Sequence, residues 1–266
     1  MKRRFDKMHG LGNDFVIIDA REQPFDVTPA LARAIADRRT GIGCDQVIVL
    51  EPSASADLKM RIWNSDGGEV ESCGNASRCV VQLTGASRIE TDGGLLEGAD
   101  GGAEVEVSIG EPRFAWDEIP LAYPMDTAAL PMAWDVLEHP VALNLGNPHL
   151  VFFVPNALDV PLDVLGPRIE NDPAFPERIN VNVASHVRGR LKLRTFERGA
   201  GETLACGTGA CASAVAAIAT KRAQSPVSVD MTGGSLTVSW SPGEPVRMRG
   251  AATHVFSGEL DLEALQ

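Results

Sequence analysis

No C-x-x-C pair occurs in this chain of 266 residues, and its five cysteines, Cys44, Cys73, Cys79, Cys206 and Cys211, are an odd number. That count argues against a disulfide framework and leaves reduced thiols as the expectation. The five histidines, His9, His139, His149, His186 and His254, show no ligand spacing, so no metal site is expected. No apolar run approaches the roughly 18 residues of a membrane span. Lys2, Arg3 and Arg4 resemble the head of a secretion signal, but Asp6, Lys7, His9 and Asp14 break any apolar stretch behind them. A cytoplasmic protein with no membrane partner is expected. Positive charge is also short: 24 Lys and Arg against 36 Asp and Glu leave a net charge of −12, which repels nucleic acid and anionic lipid.

What is present is an ordinary folding composition, 44% hydrophobic and 23% charged, which excludes a disordered or coiled-coil chain. The length suits two domains of roughly 100–150 residues each. Alternation at Ala103, Val105, Val107 and Ile109, and at Leu236, Val238 and Trp240, predicts half-buried strands. The apolar runs 15–18, 47–50 and 150–154 predict buried strands. Thr28-Pro29 opens a predicted helix bearing Leu31, Ala34 and Ile35 that stops near Gly41. Ala76, Cys79, Val80 and Leu83 follow helical spacing, and residues 209–219 are apolar nearly all round, the mark of a buried helix. Lys221 and Arg222 sit where they favour its negative end. Pro112, Pro120 and Pro124 place the join between halves near residues 116–124.

The two halves repeat one another. Residues 60–74, MRIWNSDGGEVESCG, lie without a gap over residues 193–207, LRTFERGAGETLACG, a shift of 133. Leu11-Gly12-Asn13 lies over Leu145-Gly146-Asn147, and Gln46 over Asn180, at a shift of 134. A duplicated fold explains matched glycines and aromatics. It does not explain why Cys73 and Cys206, Asn13 and Asn147, Gln46 and Asn180, and Asn64 and Glu197 all match as polar or reactive groups. Such sets suggest a pseudo-symmetric site to which both halves contribute.

Each Cys-Gly ends a glycine-rich turn and opens a helix, which puts the thiol at a helix N-terminus. The partial positive charge there is expected to lower the thiol pKa toward neutrality, so that the group can serve as acid and base. The N–H groups of Gly74, Asn75, Gly207 and Thr208 can together hold a carboxylate. Inverting an amino-acid α-carbon needs a base on one face and an acid on the other. Donors that grip the carboxylate also stabilise the charge that develops when the proton leaves. Cys44, Cys79 and Cys211 read as packing residues.

These residues closely resemble the diaminopimelate epimerase family. The resemblance rests on MHGLGNDF at 8–15, GIGCDQ at 41–46, WNSDGGEVESCGNASRC at 63–79, LGNPH at 145–149, FPERIN at 175–180 and ERGAGETLACGTGACA at 197–212. It implies an α+β fold of two pseudo-symmetric domains, each a mostly antiparallel, β-barrel-like sheet around a central helix. The implied domains are residues 1–117 with 252–266, and 118–251, with the active site at their interface. It implies interconversion of LL- and meso-2,6-diaminopimelate without a cofactor or metal, for lysine and peptidoglycan precursors. Cys73 and Cys206 resemble the acid–base pair, and His149 and Glu197 the polar groups that assist proton transfer. Asn13, Gln46, Asn64, Asn147, Asn180, Glu197 and Arg198 resemble substrate contacts, and Gly74, Asn75, Gly207 and Thr208 the carboxylate cradle. The implied partner is a small dicarboxylic diamino acid, and a homodimer is carried as an expectation. Ala76 departs from the family, which more often has glycine there, whereas Gly209 keeps it.

Each residue also has a plainer reading. Asn13, Asn64 and Asn147 are turn formers, Arg198 suits a solvated loop, and a lone histidine is more often packed than catalytic. Three rival functions stand beside the family reading. A related epimerase of proline or hydroxyproline would leave Asn64, Asn180 and Arg198 without a distal group to bind. A pyridoxal-phosphate racemase would need one of Lys2, Lys7, Lys59, Lys192 or Lys221, none in a recognisable setting. A binding protein with a redox disulfide would have no reason to keep an acidic thiol.

Overall fold

The repeat in the sequence is a repeat of strand pairing. In the computed structural model, which describes residues 2–71 and 73–265, the chain divides into one unit of Met1–Val107 with Gly250–Gln266 and a second of Ser108–Arg249. Each is a mixed, mostly antiparallel sheet with two helices. No helix among the described residues is long and apolar enough to cross a membrane.

In the first unit, β1 (Lys2–Gly10) and β2 (Asn13–Asp19) form a hairpin, and β3 (Gln46–Glu51) runs parallel to β2. Strand β4 (Leu58–Asn64) returns antiparallel to β3, and β5 (Glu69–Val70) folds back on β4. Strand β6 (Arg88–Thr91) lies parallel to β4, followed by the antiparallel β7 (Gly94–Asp100) and β8 (Val105–Gly110). The C-terminal strand, Thr253–Asp261, pairs with β1. Helix α1 (Pro29–Ala36) starts where Thr28 accepts a hydrogen bond from Leu31 N, and it buries Ala32, Ile35 and Ala36. It stops at Ala36, five residues before Gly41. The Asp37 carboxylate accepts from the Arg39 and Thr40 N–H groups, and this local turn competes with further helix. Helix α2 (Gly74–Thr84) packs against β1, β2, β7 and the C-terminal strand.

The second unit holds the small hairpin of β9 (Ala133–Trp134) and β10 (Leu137–Glu138), then β11 (Val141–Asn144) and β12 (Pro148–Phe153), an antiparallel pair. Strand β13 (Asn180–Val187) is parallel to β12, β14 (Arg190–Glu197) antiparallel to β13, and β15 (Gly201–Thr203) folds back on β14. Strand β16 (Val227–Met231) lies parallel to β14, and β17 (Gly234–Ser239) and β18 (Val246–Gly250) follow antiparallel. Helix α3 (Leu162–Glu170) was not evident from the sequence, since Pro161 and Pro167 flank and enter it and no side chain caps it. Helix α4 (Gly207–Ala219) is buried from Gly209 through Ala217 and packs against β11 to β14, β16 and β17. Its end is closed by backbone bonds onto the Ala216, Ala217 and Ile218 carbonyls. The Arg222 guanidinium lies over the Phe153 ring, 4.8 Å from its centroid. Within residues 116–124, Ile119 and Leu121 are buried in the core of this unit and Trp116 packs against that core.

The two pairing patterns superpose in sequence register. Phe15 faces Gln46 across β2 and β3, as His149 faces Asn180 across β12 and β13. Ile62 faces Val70, as Thr195 faces Thr203. Arg61 forks onto Glu69 at 2.8 and 3.1 Å, and Arg194 onto Glu202 at 2.7 and 2.9 Å. The repeat therefore includes a salt bridge that fastens each short fifth strand.

Candidate active site

Cys73 is the N-cap of α2, in extended backbone, and is half-buried. Its sulphur lies 3.9 Å from Asn13 Oδ1, and Ser77 N and Oγ both donate to its carbonyl at 2.9 Å. Asn13 stands at the start of β2, after the turn that Gly12 makes at φ 90°. The amide of Asn13 is held from both sides. Its Oδ1 accepts from Asn75 Nδ2 at 3.2 Å, and its Nδ2 donates to Asp45 Oδ2 at 3.0 Å. The fully buried Arg78 donates to Asn75 Oδ1 at 2.9 Å. An arginine can only donate and a carboxylate only accept, so the two asparagine amides between them have one orientation.

Asp45 belongs to a charged cluster. Arg38 bridges Asp45 and Asp14 at 2.7 Å each, and Lys7 reaches Asp14 from inside the sheet. Burial pushes the Asp14 carboxyl up, but hydrogen bonds from Arg38 and Lys7, together with the Lys7 charge, outweigh it and hold the group at about 2. Beside Asp45, Gln46 Nε2 donates to Asn64 Oδ1 at 2.8 Å across β3 and β4. The Gln46 Oε1 atom is buried without a hydrogen-bond partner, an acceptor that a ligand's donor could fill.

In the second unit Cys206 is the N-cap of α4 and is buried. Its sulphur accepts from Gly209 N at 3.3 Å and lies 3.6 Å from Thr208 Oγ1. Asn147 Nδ2 donates to Thr208 Oγ1 at 3.3 Å, and Asn147 Oδ1 lies 2.9 Å from His149 Nε2. Asn182 Nδ2 lies 3.1 Å from His149 Nδ1. Thr203 Oγ1 donates to Glu197 Oε1. Asn180 bridges the Pro148 carbonyl at 2.8 Å and Arg198 N at 3.0 Å, and the Arg198 guanidinium reaches the Glu177 carbonyl at 3.0 Å.

The electrostatics depart from expectation at Cys206. Helix position alone argues for an acidic thiol, yet burial pushes this one well up, and the charge of Glu197 adds to the rise. Hydrogen bonds from Thr208 and Gly209 oppose the rise without cancelling it. Desolvation of a sulphur anion exceeds what one helix end returns. Burial and the neighbouring Glu197 carboxylate therefore both favour the thiol form of Cys206. His149 is fully buried, and that burial, helped by the Arg198 charge, holds it down at about 3. It is a neutral imidazole. Cys44 and Cys79 are buried packing residues with thiols pushed up to about 12, and Cys211 is buried too.

Of the residues singled out in the sequence, Asn13, Cys73 and Asn75 meet around the start of α2, and Gln46 pairs with Asn64 beside them. Asn147, His149, Cys206 and Thr208 meet at the start of α4, with Glu197 acting on the Cys206 sulphur. Asn180 and Arg198 join through a main-chain bond. Sequence reasoning missed Asp45, Arg78, Asn182, Thr195 and Thr203. The strand period held a signal for two of them: Asn182 lies two residues from Asn180, and Thr195 two from Glu197, on the same faces.

The family model for diaminopimelate epimerase matches residues 5–115 and 141–255. The chain is 62% identical to a diaminopimelate epimerase from Rhizorhabdus wittichii, over 99% of this chain and 97% of that protein. It is 64% identical to one from Sphingopyxis alaskensis, over 98% of each. Among solved structures, it shares its fold with a phenazine biosynthesis protein of the PhzF family from Bacillus anthracis at TM-score 0.70 and 15% identity, covering 98% of this chain and 100% of that one. A hydroxyproline epimerase from Agrobacterium vitis with bound trans-4-hydroxy-L-proline matches at TM-score 0.66 and 15% identity, over 98% and 93% of the two chains.

Proposed function

Since the chain belongs to the diaminopimelate epimerase family, we propose that it interconverts LL- and meso-2,6-diaminopimelate by moving the α-proton between two thiols, Cys73 and Cys206, in the supply of lysine and peptidoglycan precursors. The observation that carries this reading is the matched pair of N-capping cysteines, each the start of a helix in the same strand frame. In the reading, the N–H groups of Gly74, Asn75, Gly207 and Thr208 hold the substrate carboxylate at the reacting end. Those donors also stabilise the charge that builds as the proton leaves. One sulphur takes the α-proton as thiolate while the other, as thiol, returns one to the opposite face.

In this reading Glu197, which lies against the Cys206 sulphur and favours its thiol form, is the polar partner that assists proton transfer at that thiol. His149 is neutral and hydrogen-bonded at both ring nitrogens, which suits a fixed donor. Asn13, Gln46, Asn64, Asn147, Asn180 and Arg198 read the amino and carboxylate groups. The unpartnered Gln46 Oε1 suits an ammonium. Arg198 suits the distal carboxylate as a planar donor. The reading includes a cytoplasmic location, supported by five cysteines that stand outside any disulfide among the described residues. It also includes a homodimer, supported by the exposed Val255 and Phe256 on the C-terminal strand and checked by sedimentation.

The deciding experiment takes Cys73→Ala and Cys206→Ala singly, in heavy water, with one pure stereoisomer at a time. Inversion falls by orders of magnitude in both. Each retains slow α-deuterium exchange with retention of configuration, and the two prefer opposite configurations. Near-normal inversion by either variant removes both thiols from the assignment.

A further inference from the structure

A main-chain carbonyl deep in the second unit decides which way a hydrogen-bond chain runs to the Cys206 sulphur. The Leu150 carbonyl, an obligate acceptor, receives Asn182 Nδ2 at 2.9 Å. That contact turns Asn182 Oδ1 toward Thr195, whose hydroxyl donates to it at 3.0 Å. The second N–H of Asn182 then points at His149 Nδ1, 3.1 Å away, so Nδ1 must be bare. A buried neutral imidazole with a bare Nδ1 carries its proton on Nε2. Nε2–H faces Asn147 at 2.9 Å, which must present Oδ1, leaving Asn147 Nδ2 to donate to Thr208 Oγ1 at 3.3 Å. With a lone pair of Thr208 so occupied, its hydroxyl proton is free to turn to the Cys206 sulphur, 3.6 Å away.

We propose that Asn182 is a positioning residue: anchored on the Leu150 carbonyl, it sets the His149 tautomer and thereby makes Thr208 a donor to the Cys206 thiolate. Asn182 has no hydrogen bond to the sulphur among the described residues, and its hydrogen-bond path to it runs through His149, Asn147 and Thr208. The frame has been shaped to admit it. A Cβ at position 209 would stand 2.5 Å from Asn182 Oδ1 and 2.9 Å from Thr195 Oγ1, so the first turn of α4 needs glycine there. Asn182 is fully buried and each of its polar atoms is used, so its orientation has no alternative at this site. Glu197 acts on the same sulphur in the opposite sense, and Arg198 is the other charge bearing on this cluster, through His149. Thiolate and thiol forms of Cys206 thus each have a partner on opposite sides: Thr208 and Gly209 for the first, Glu197 for the second.

The inference rests on the two-thiol reading for its kinetic consequence but not for its spectroscopic one. The test uses the full chain labelled with 15N-histidine, the His149 signals being identified by their loss in His149→Phe. The native protein shows a single tautomer, protonated at Nε2, and Asn182→Leu shows both tautomers. Thr208→Val keeps the native tautomer and lowers kcat/KM by roughly tenfold or more, the loss expected when one bond to a charged group is removed. Thr208→Ser restores it. Asn182→Leu costs a similar factor, and the double variant loses no more than about twofold beyond Thr208→Val, because both act through one hydroxyl. A native Nδ1–H tautomer, an unchanged tautomer in Asn182→Leu, or losses that multiply would each overturn the assignment. If Asn182→Leu does not fold, the native tautomer and the Thr208→Val and Thr208→Ser pair decide. A chain inert toward LL-diaminopimelate whose tautomers follow these expectations sinks the proposed substrate and leaves Asn182 in place.

Discussion

Across β13 and β14, Asn182 faces Thr195, and their side chains bond to one another at 3.0 Å. At the equivalent places across β3 and β4 of the first unit, Ile48 faces Ile62, both fully buried. The third member of each set is His149 in one unit and Phe15 in the other. One strand frame thus carries a polar filling behind Cys206 and an apolar filling at the matching positions beside Cys73. The difference follows from where each thiol stands. Cys73 is half-buried and takes its polar contact from Asn13, which is tied to the charged cluster of Asp45, Asp14, Arg38 and Lys7 nearer the surface. Cys206 is cut off from water, so the groups that can stabilise its anion must be built into the interior. Duplication supplied the frame, and burial decided what had to fill it.

The comparison can be broken most sharply at Asn64 and Glu197, which occupy equivalent positions. In the proposed reading Glu197→Gln removes the carboxylate that assists proton transfer at Cys206, and it is expected to lower kcat by about 10²–10⁴. In the same reading Asn64→Ala removes a substrate-binding amide, and it is expected to act mainly on KM, by about tenfold. Steady-state kinetics with LL-diaminopimelate check both, and matching losses in kcat would mean the two halves play the same part.

A smaller effect sharpens the comparison through pH. His149 titrates near 6.5 in the unfolded chain and is held at about 3 in the fold. As pH falls through that window the unfolded chain gains a proton that the folded chain refuses, so the second unit loses stability from about pH 6.5 downward. Asp14 works at lower pH. Held at about 2 against 3.8, it contributes stability that is complete above 3.8 and fades as pH falls toward 2. Hydrogen exchange, corrected for intrinsic rates, should show the second unit weakening first on mild acidification. His149→Phe, which installs the residue of the first unit, should lower stability at neutral pH and flatten that dependence. A slope that survives the substitution would place its origin elsewhere.

The smallest effect concerns the glycine that the first unit lacks. Gly209→Ala drives a methyl against Asn182 and Thr195 and is expected to cost roughly 1–3 kcal/mol. Ala76→Gly, at the matching position, should cost only about 1 kcal/mol from added backbone freedom. Urea midpoints of the two variants test the order, and the reverse order would mean that Asn182 can yield.

Much of this was legible before any coordinates. The gap-free match of residues 60–74 with 193–207 predicted a repeated frame, because strand register and turn glycines tolerate little drift once a core is packed. The N-capping cysteines were legible because a glycine-rich turn followed by small apolar residues at helical spacing has few other meanings. Asp45 and Arg78 were not, since a carboxylate in a loop before a strand, or a guanidinium within a helix, looks the same whether it is solvated or holds an amide. Helix α3 was obscured by its two prolines, and the end of α1 by a side-chain turn at Asp37 that outcompetes the apolar pattern.

By itself the sequence determined the duplicated strand frame, the two thiols at helix starts and the set of amide side chains around them. Those are local matters, settled by periodicity, turn chemistry and internal repetition. Only the tertiary structure decided the protonation of Cys206 and the tautomer of His149. Both depend on how completely water is excluded and on which acceptor each donor meets, here Glu197 beside a buried sulphur and the Leu150 carbonyl beneath an asparagine. A residue's neighbours in the chain carry no record of either.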